Sequence, residues 1–133
     1  MDRRHSREQA FILLFENTFG INSTEEITEN AKLIREEKIS AFTQRLVDGT
    51  LNNLSVIDEK ISHNLSGWNI ERISRTALSV LRLATYEILF ENEIPNSAAA
   101  NEAVELSKKY STPNEASYVN GVLGAIISNV ESK

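Results

Sequence analysis

Apolar residues recur along this chain at intervals of three and four, the spacing of a helix face. No stretch alternates apolar and polar positions for long enough to form a half-buried strand. Phe11, Leu14, Phe15 and Thr18 predict a first helix that starts at Ser6 and stops at Gly20. Ser6-Arg7-Glu8-Gln9 has the form of a capping box, in which the hydroxyl accepts from an amide and the glutamine reaches back. Ser23-Thr24-Glu25-Glu26 has the same form, and its helix carries Ile27, Ala31 and Ile34 on one face. A long third helix is predicted from about residue 39 to about residue 64, through Ile39, Phe42, Leu46, Leu51, Leu54, Ile57, Ile61 and Leu65. Gly49 lies inside it and costs about 1 kcal/mol relative to alanine, so a kink is expected there.

Ser66-Gly67 interrupts the pattern before Trp68. Ile70, Ile73, Ala77, Leu81, Ala84 and Ile88 mark the next buried stripe, which ends before Pro95. Ser97 is the expected cap of a helix with Ala99, Ala103, Leu106 and Tyr110 on one side. Thr112-Pro113-Asn114-Glu115 is the clearest start signal, a capping threonine followed by proline at the tolerated first position and a glutamate to complete the box. Val119, Leu123, Ile126, Ile127 and Val130 turn the last helix inward. The expected architecture is all-α, a compact bundle of about six or seven helices forming one domain over residues 1–133. The Ser66-Gly67 break divides it into helical subdomains of approximately 1–66 and 67–133 that share one core.

Composition narrows the function classes. At 133 residues with 41% hydrophobic and 25% charged positions, the chain can bury a core without a disulfide or metal staple. It contains no cysteine, which removes thiol catalysis, disulfides and cysteine-zinc sites together. Its only histidines are His5 and His63, and no phosphate-loop, dinucleotide or zinc-protease motif is present. No enzyme, cofactor or metal is therefore expected. With no apolar run of membrane length and no signal-peptide pattern, the expected location is the cytoplasm. The net charge of -5 opposes unaided coating of nucleic acid but permits a local basic patch. Residues 16–38 are strongly acidic and read as a solvated face. Gly121-Val122-Leu123-Gly124 has the letters of a nucleic-acid loop but sits in an apolar helical pattern, where close helix packing is expected.

Three features suit binding. Arg3, Arg4 and Arg7 crowd the start of the first helix, where guanidinium groups can grip phosphate or simply solubilise a tail. Arg75, Ser79, Arg82 and Tyr86 share one helical face, suited either to backbone phosphates and a stacked base or to snorkelling and surface ion pairs. Lys108-Lys109-Tyr110 precedes Asn114 and Tyr118, either a platform for unpaired bases or tyrosines packing two helices together.

Several ordered segments resemble the NusB family of bacterial antitermination factors. Ser74-Arg75 through Ala84-Thr85-Tyr86-Glu87 is similar to that family's L-R-x-A-x-Y-E. Ile94-Pro95 and Ala100-Asn101-Glu102-Ala103-Val104-Glu105-Leu106-Ser107-Lys108 are similar to its I-P…I-N-E-A-[IV]-E-L-A-K. Tyr118-Val119-Asn120-Gly121-Val122-Leu123 resembles F-V-N-G-V-L, and Arg3-Arg4-His5-Ser6-Arg7-Glu8 resembles R-R-x-A-R-E, running into Phe15 where the family has an aromatic. The strong resemblance covers residues 65–124.

The resemblance implies a non-enzymatic factor that binds single-stranded boxA RNA as a heterodimer with the ribosomal protein NusE. That pair would act within an RNA polymerase antitermination complex and support ribosomal RNA transcription. By motif position it implies RNA contacts at Arg3, Arg4, Arg7, Phe15, Tyr110, Asn114 and Tyr118, with Arg75 and Arg82 at or near the RNA and partner surface. Ala77-Leu78 stands where a charged pair is common, which alters the expected partner interface, and Asn114 stands where Asp is common, which favours phosphate. A homodimer that hides the RNA surface is also compatible with the resemblance. Two other readings stand beside it. One is a helical RNA-binding accessory domain related to the N-terminal domain of ribosomal RNA cytosine methyltransferases, and the other is a protein scaffold without RNA contact.

Overall fold

The computed structural model describes residues 2–20, 24–33, 38–65 and 70–132. Seven α-helices and one 3-10 turn are present among them, with no strand. They are α1 (Arg3–Asn17), α2 (Thr24–Leu33), α3 (Ala41–Asn52), α4 (Leu54–His63), the turn Ile70–Arg72, α5 (Arg75–Phe90), α6 (Asn96–Tyr110) and α7 (Pro113–Glu131). The fold is all-α, as expected, and no helix of the described residues is long and apolar enough to cross a membrane. Ser23, Ile34, the side chain of Ala31 and the Ser66-Gly67-Trp68 break lie outside the described residues.

α5 is the centre. Ala77, Val80, Leu81, Leu83, Ala84, Thr85, Tyr86, Glu87 and Ile88 are all buried, so the helix is enclosed on nearly every side. α1, α3, α4, α6 and α7 all pack against it. One continuous core joins Phe11 and Leu14 of α1, Leu46 of α3, Ile57 and Ile61 of α4, Ala103 of α6 and Val119, Leu123 and Ile126 of α7.

Helix ends follow local chemistry, and four differ from the sequence reading. α1 begins at Arg3, because the Asp2 carboxylate accepts the His5 amide at 2.8 Å and supplies the cap. Ser6 is buried inside the helix and serves a different end. Its hydroxyl lies 2.9 Å from Ser40 Oγ, Ser40 donates to Thr43 Oγ1, and Thr43 donates back to the Ser6 carbonyl. That closed circuit ties α1 to the cap of α3, where Ser40 also accepts the Thr43 amide. The predicted long third helix is two helices, broken at Asn53 and not at Gly49. The Asn53 side-chain amide donates to the Gly49 carbonyl at 2.8 Å, while its backbone amide turns to Thr50 at 3.3 Å. The side chain thus takes the acceptor that a continuous helix would give to the backbone.

α6 starts one residue after Pro95, whose carbonyl accepts the amides of Ala98 and Ala99, and Ser97 is an exposed first-turn residue. Thr112 caps α7 as expected, accepting the Glu115 amide at 3.1 Å with Pro113 in the first turn. α1 ends at Asn17 with Thr18 as its cap, and Gly20, at φ 68°, turns the chain just beyond it in the left-handed region that favours glycine. Val122 and Leu123 point into the core, but Gly121 and Gly124 face open space, so these glycines do not mediate close helix packing.

Gly49 has another reason to be small. A Cβ there would overlap the ring of Tyr86, which crosses α3 at this point and is held by its hydroxyl to Glu91 at 2.8 Å. Gly49→Ala is expected to lose about 1–3 kcal/mol through overpacking, although removing a helical glycine alone would gain about 1 kcal/mol. Gly121→Ala, which meets nothing within 4 Å, is expected to be stabilising by that smaller amount. Urea unfolding of both variants checks the contrast, and equal effects would contradict the close approach at Gly49.

Candidate nucleic-acid interface

α1 carries its functional side chains on two adjoining stripes. One, at helical spacing, holds Arg4, Glu8, Phe11, Phe15 and, just past the helix, Phe19. The other holds Arg3 and Arg7 and faces α3.

The first stripe builds an aromatic ladder. The ring of Tyr110, at the end of α6, lies 5.0 Å from Phe11. Phe11 lies 6.2 Å from Phe15, and Phe15 meets Phe19 edge-on at 5.3 Å. A cation closes each end. Lys109 Nζ sits 5.4 Å from the Tyr110 ring and the Arg75 guanidinium 4.6 Å from that of Phe19. Phe11 is buried and anchors the row, while Phe19 at 49% and Tyr110 at 39% are exposed. Phe15 and Tyr110, distant in sequence, are thus brought to one surface with Arg75. Arg75 also donates to the Thr18 carbonyl at 2.7 Å, which fixes the chain leaving α1.

Phe19 was not singled out in the sequence, although its place four residues after Phe15 was a usable signal. Phe42 was read only as a core residue, yet its half-buried ring gathers three guanidinium groups, those of Arg3, Arg7 and Arg45.

Beside the ladder, Arg72, Ile73, Ser74, Ala77, Asn114, Glu115 and Tyr118 line a cavity of about 320 Å³ between the starts of α5 and α7. Ser74 donates to Glu115 at 3.0 Å, and Ser111 hydrogen-bonds the same carboxylate oxygen, so the residue after Tyr110 is tied to the cavity rim. The Tyr118 hydroxyl is shielded from solvent and has no hydrogen-bond partner among the described residues, and burial pushes its pKa up. Ala77 is buried at this cavity, which accounts for an uncharged side chain at that position.

The stripe predicted on α5 does not form an open surface. Ser79 is buried and donates to the Arg75 carbonyl at 2.7 Å. Arg82 grips Asp58 with two bonds of 2.9 and 2.8 Å. Tyr86 is buried against Phe90 and Glu91. Burial first, and the Glu91 carboxylate second, push its phenol up to about 12.

The arginines of α1 differ in the same way. Arg4 makes an exposed two-bond contact with Glu102 at 3.0 and 3.2 Å, and Lys109 pairs with Glu8 at 2.6 Å. Exposed pairs of this kind add little to stability and exchange readily for another anion. Arg7 instead donates to Glu87 at 2.8 Å with both side chains enclosed.

Residues 4–128 match the model of the NusB family. The chain belongs to the NusB family. It is similar to the transcription antitermination protein NusB of Clostridium botulinum (strain Hall), with 45% identity over 143 residues that cover 96% of this chain and 100% of that protein. Its fold is similar to T. maritima NusB, with a TM-score of 0.86, 38% identity and coverage of 96% of this chain and 92% of that one. It is also similar to a chain in a solved complex of the antitermination factors NusB and NusE with double-stranded RNA, with a TM-score of 0.84, 26% identity and 96% of both chains covered. The resemblance read from the L-R-x-A-x-Y-E, N-E-A and V-N-G-V-L segments is therefore a family relationship. Within that NusB frame, Tyr118 places a hydroxyl where the pattern has a phenylalanine.

The buried Arg7–Glu87 pair makes a measurable demand on the fold. Burial raises the Glu87 carboxyl above its ordinary value of 4.5, and Arg7 opposes that rise. A carboxyl whose folded pKa is raised favours folding below its unfolded value, and that contribution disappears as pH climbs through the folded value. Arg7→Met removes the opposing cation, so the carboxyl rises further and the window widens upward. The variant is expected to lose about 3–5 kcal/mol at neutral pH. It should regain part of that loss, relative to wild type, as pH falls towards the ordinary carboxyl range. Urea unfolding across a pH series checks this, and parallel pH profiles for the two proteins would contradict it.

Proposed function

We propose that this NusB-family chain is a non-enzymatic antitermination factor that binds single-stranded boxA RNA together with the ribosomal protein NusE. The aromatic ladder from Tyr110 through Phe11 and Phe15 to Phe19, with Lys109 and Arg75 at its ends, carries this reading. The exposed rings of Tyr110 and Phe19 and the half-buried ring of Phe15, backed by buried Phe11, receive unpaired bases, and flanking cations receive the phosphates between them. A duplex keeps its bases stacked inside and offers the ladder nothing to bind.

The site residues divide by geometry. Phe15, Tyr110 and Phe19 are the stacking surface. Arg3, Arg4 and Arg75 supply exposed guanidinium groups for phosphate. Asn114 and Tyr118, at the mouth and wall of the adjoining cavity, bind one base edge through amide and hydroxyl. Arg7 and Arg82 act as positioning residues, held by Glu87 and Asp58, and place α1 and α4 around α5. The chain's charge of -5 makes a basic partner useful, because it would add the phosphate attraction this chain lacks. In this reading the heterodimer works in the cytoplasm on nascent transcripts, within an RNA polymerase complex that reads ribosomal RNA operons.

Fluorescence anisotropy tests the proposal with boxA RNA, a scrambled strand and a boxA duplex, each titrated with this chain, NusE and their mixture. Tight, selective binding of single-stranded boxA by the mixture is expected. Phe19→Ala and Tyr110→Ala are each expected to weaken it by about 1–3 kcal/mol, as for loss of one stacked base. Equal binding to all three RNAs, or stronger binding to the duplex, would overturn the single-strand reading.

A further inference from the structure

The second stripe of α1 ends in a cluster that the ladder does not use. Arg3, Arg45 and Arg7 lie 4.7, 5.1 and 5.7 Å from the centre of the Phe42 ring. Two carboxylates serve these three cations. Glu87 takes Arg7, and Glu91 takes Arg45 at 2.8 Å while its other oxygen accepts the Tyr86 hydroxyl. Arg3 has no carboxylate partner among the described residues. Its neighbour Asp2 has a carboxylate oxygen bonded to the His5 amide. The cluster therefore holds one cation more than it holds anions, on a chain whose overall charge is negative.

Arg3 and Arg45 are also well presented. Both are exposed, and a guanidinium stacked on a ring keeps its in-plane N–H groups directed outward. Stacking restrains the side chain before any ligand arrives, so less conformational freedom is lost on binding. The geometry suits a phosphodiester, which takes two parallel N–H bonds from one guanidinium. Arg3 is adjacent in sequence to Arg4, and Arg4 begins the stripe that leads to the ladder. A strand that leaves the ladder past Arg4 reaches the Phe42 cluster by crossing the first turn of α1.

We propose that Phe42, Arg3 and Arg45 form a backbone anchor on α3 that holds RNA phosphates outside the segment stacked on the ladder. This rests on the single-stranded RNA reading above and adds Phe42 and Arg45 to it. The anchor reads charge and not sequence, so its contribution is the same for any flanking nucleotides. Arg3 and Phe11, the nearest ladder residue on α1, are separated by about 12 Å along the helix, at 1.5 Å per residue, so an RNA that extends beyond the ladder engages it.

The test compares a short boxA RNA that covers the ladder with the same RNA extended at each end in turn. Both are titrated over a range of salt with the protein–NusE mixture. The variants are Arg3→Gln and the pair Arg45→Gln with Glu91→Gln, which avoids leaving an unpaired carboxylate. Each set is expected to weaken binding of one extended RNA and to reduce its salt slope by about 0.7, the value for one single-strand phosphate contact. Combined, they should reduce the slope on the extended RNA by about 1.4, and the Arg45→Gln, Glu91→Gln pair alone should leave the short RNA unchanged. Phe42→Leu, which keeps the apolar packing, should give part of the same loss. Unchanged binding of both extended RNAs, with Phe19→Ala still defective, would overturn the anchor and leave the ladder standing. Absence of RNA binding by the wild-type mixture would overturn both. Binding of an oligoglutamate peptide as tight as that of the extended RNA, lost in the same variants, would reassign the cluster to an acidic protein partner.

Discussion

A carboxylate in the last turn of the most enclosed helix is the constraint around which this molecule is arranged. Glu87 is 2% exposed on α5, which has neighbours on nearly every side. An unpaired charge in such a place would be strongly destabilising, so a cation must be brought to it. Arg7 does this from the second turn of α1, and in doing so fixes the rotation of α1 about its own axis. Once Arg7 points at α5, the residues three and four positions away have determined directions. Arg3 falls towards α3, and Arg4 and Phe11 fall towards α6, with Phe15 one turn beyond Phe11. The two binding surfaces on α1 are consequences of one buried ion pair.

The same pair separates structural from exchangeable charge. Arg7 and Arg82 have short bonds to Glu87 and Asp58 in confined surroundings. Arg4 and Lys109 face Glu102 and Glu8 at the surface, where water competes and the pairing adds little. A phosphate can replace Glu102 at Arg4 with small loss, whereas replacing Glu87 at Arg7 would strand a buried anion. Counting arginines near the N-terminus therefore overstates the charge on offer. What decides availability is how far each cation itself stands out of the protein, which Arg4, Lys109 and Arg45 do and Arg7 and Arg82 do not.

Much of the fold was legible because its signals are local. Thr112-Pro113 starts α7, Gly20 turns the chain just beyond α1 and the apolar stripe of α5 is buried as its spacing requires. Misread starts came from residues with two possible uses. Ser6 has the right neighbours for a cap, but Asp2 takes that role and frees Ser6 to join α1 to α3. Asn53 divides α3 from α4 through a side-chain bond that periodicity does not register. The site was legible in part. Phe15, Tyr110 and Arg75 were singled out separately, yet their meeting depends on how α6 ends against α1. Phe42 stayed hidden because its spacing in α3 marks it as core, and only the tertiary approach of three arginines gives its ring another use.

The placement of Tyr86 links these surfaces to the stability of the core. Its ring passes over Gly49 with no room for a Cβ, and its hydroxyl occupies one oxygen of Glu91. The other oxygen holds Arg45 beside Phe42. One buried phenol thereby sets both the closeness of α3 to α5 and the position of an exposed guanidinium. Its proton is retained well above neutral pH, since burial and the neighbouring carboxylate both disfavour the phenolate. The donor to Glu91 is therefore constant across the physiological range. The cation cluster on α3 inherits that constancy, and its geometry is governed by core packing more than by the exposed side chains that compose it.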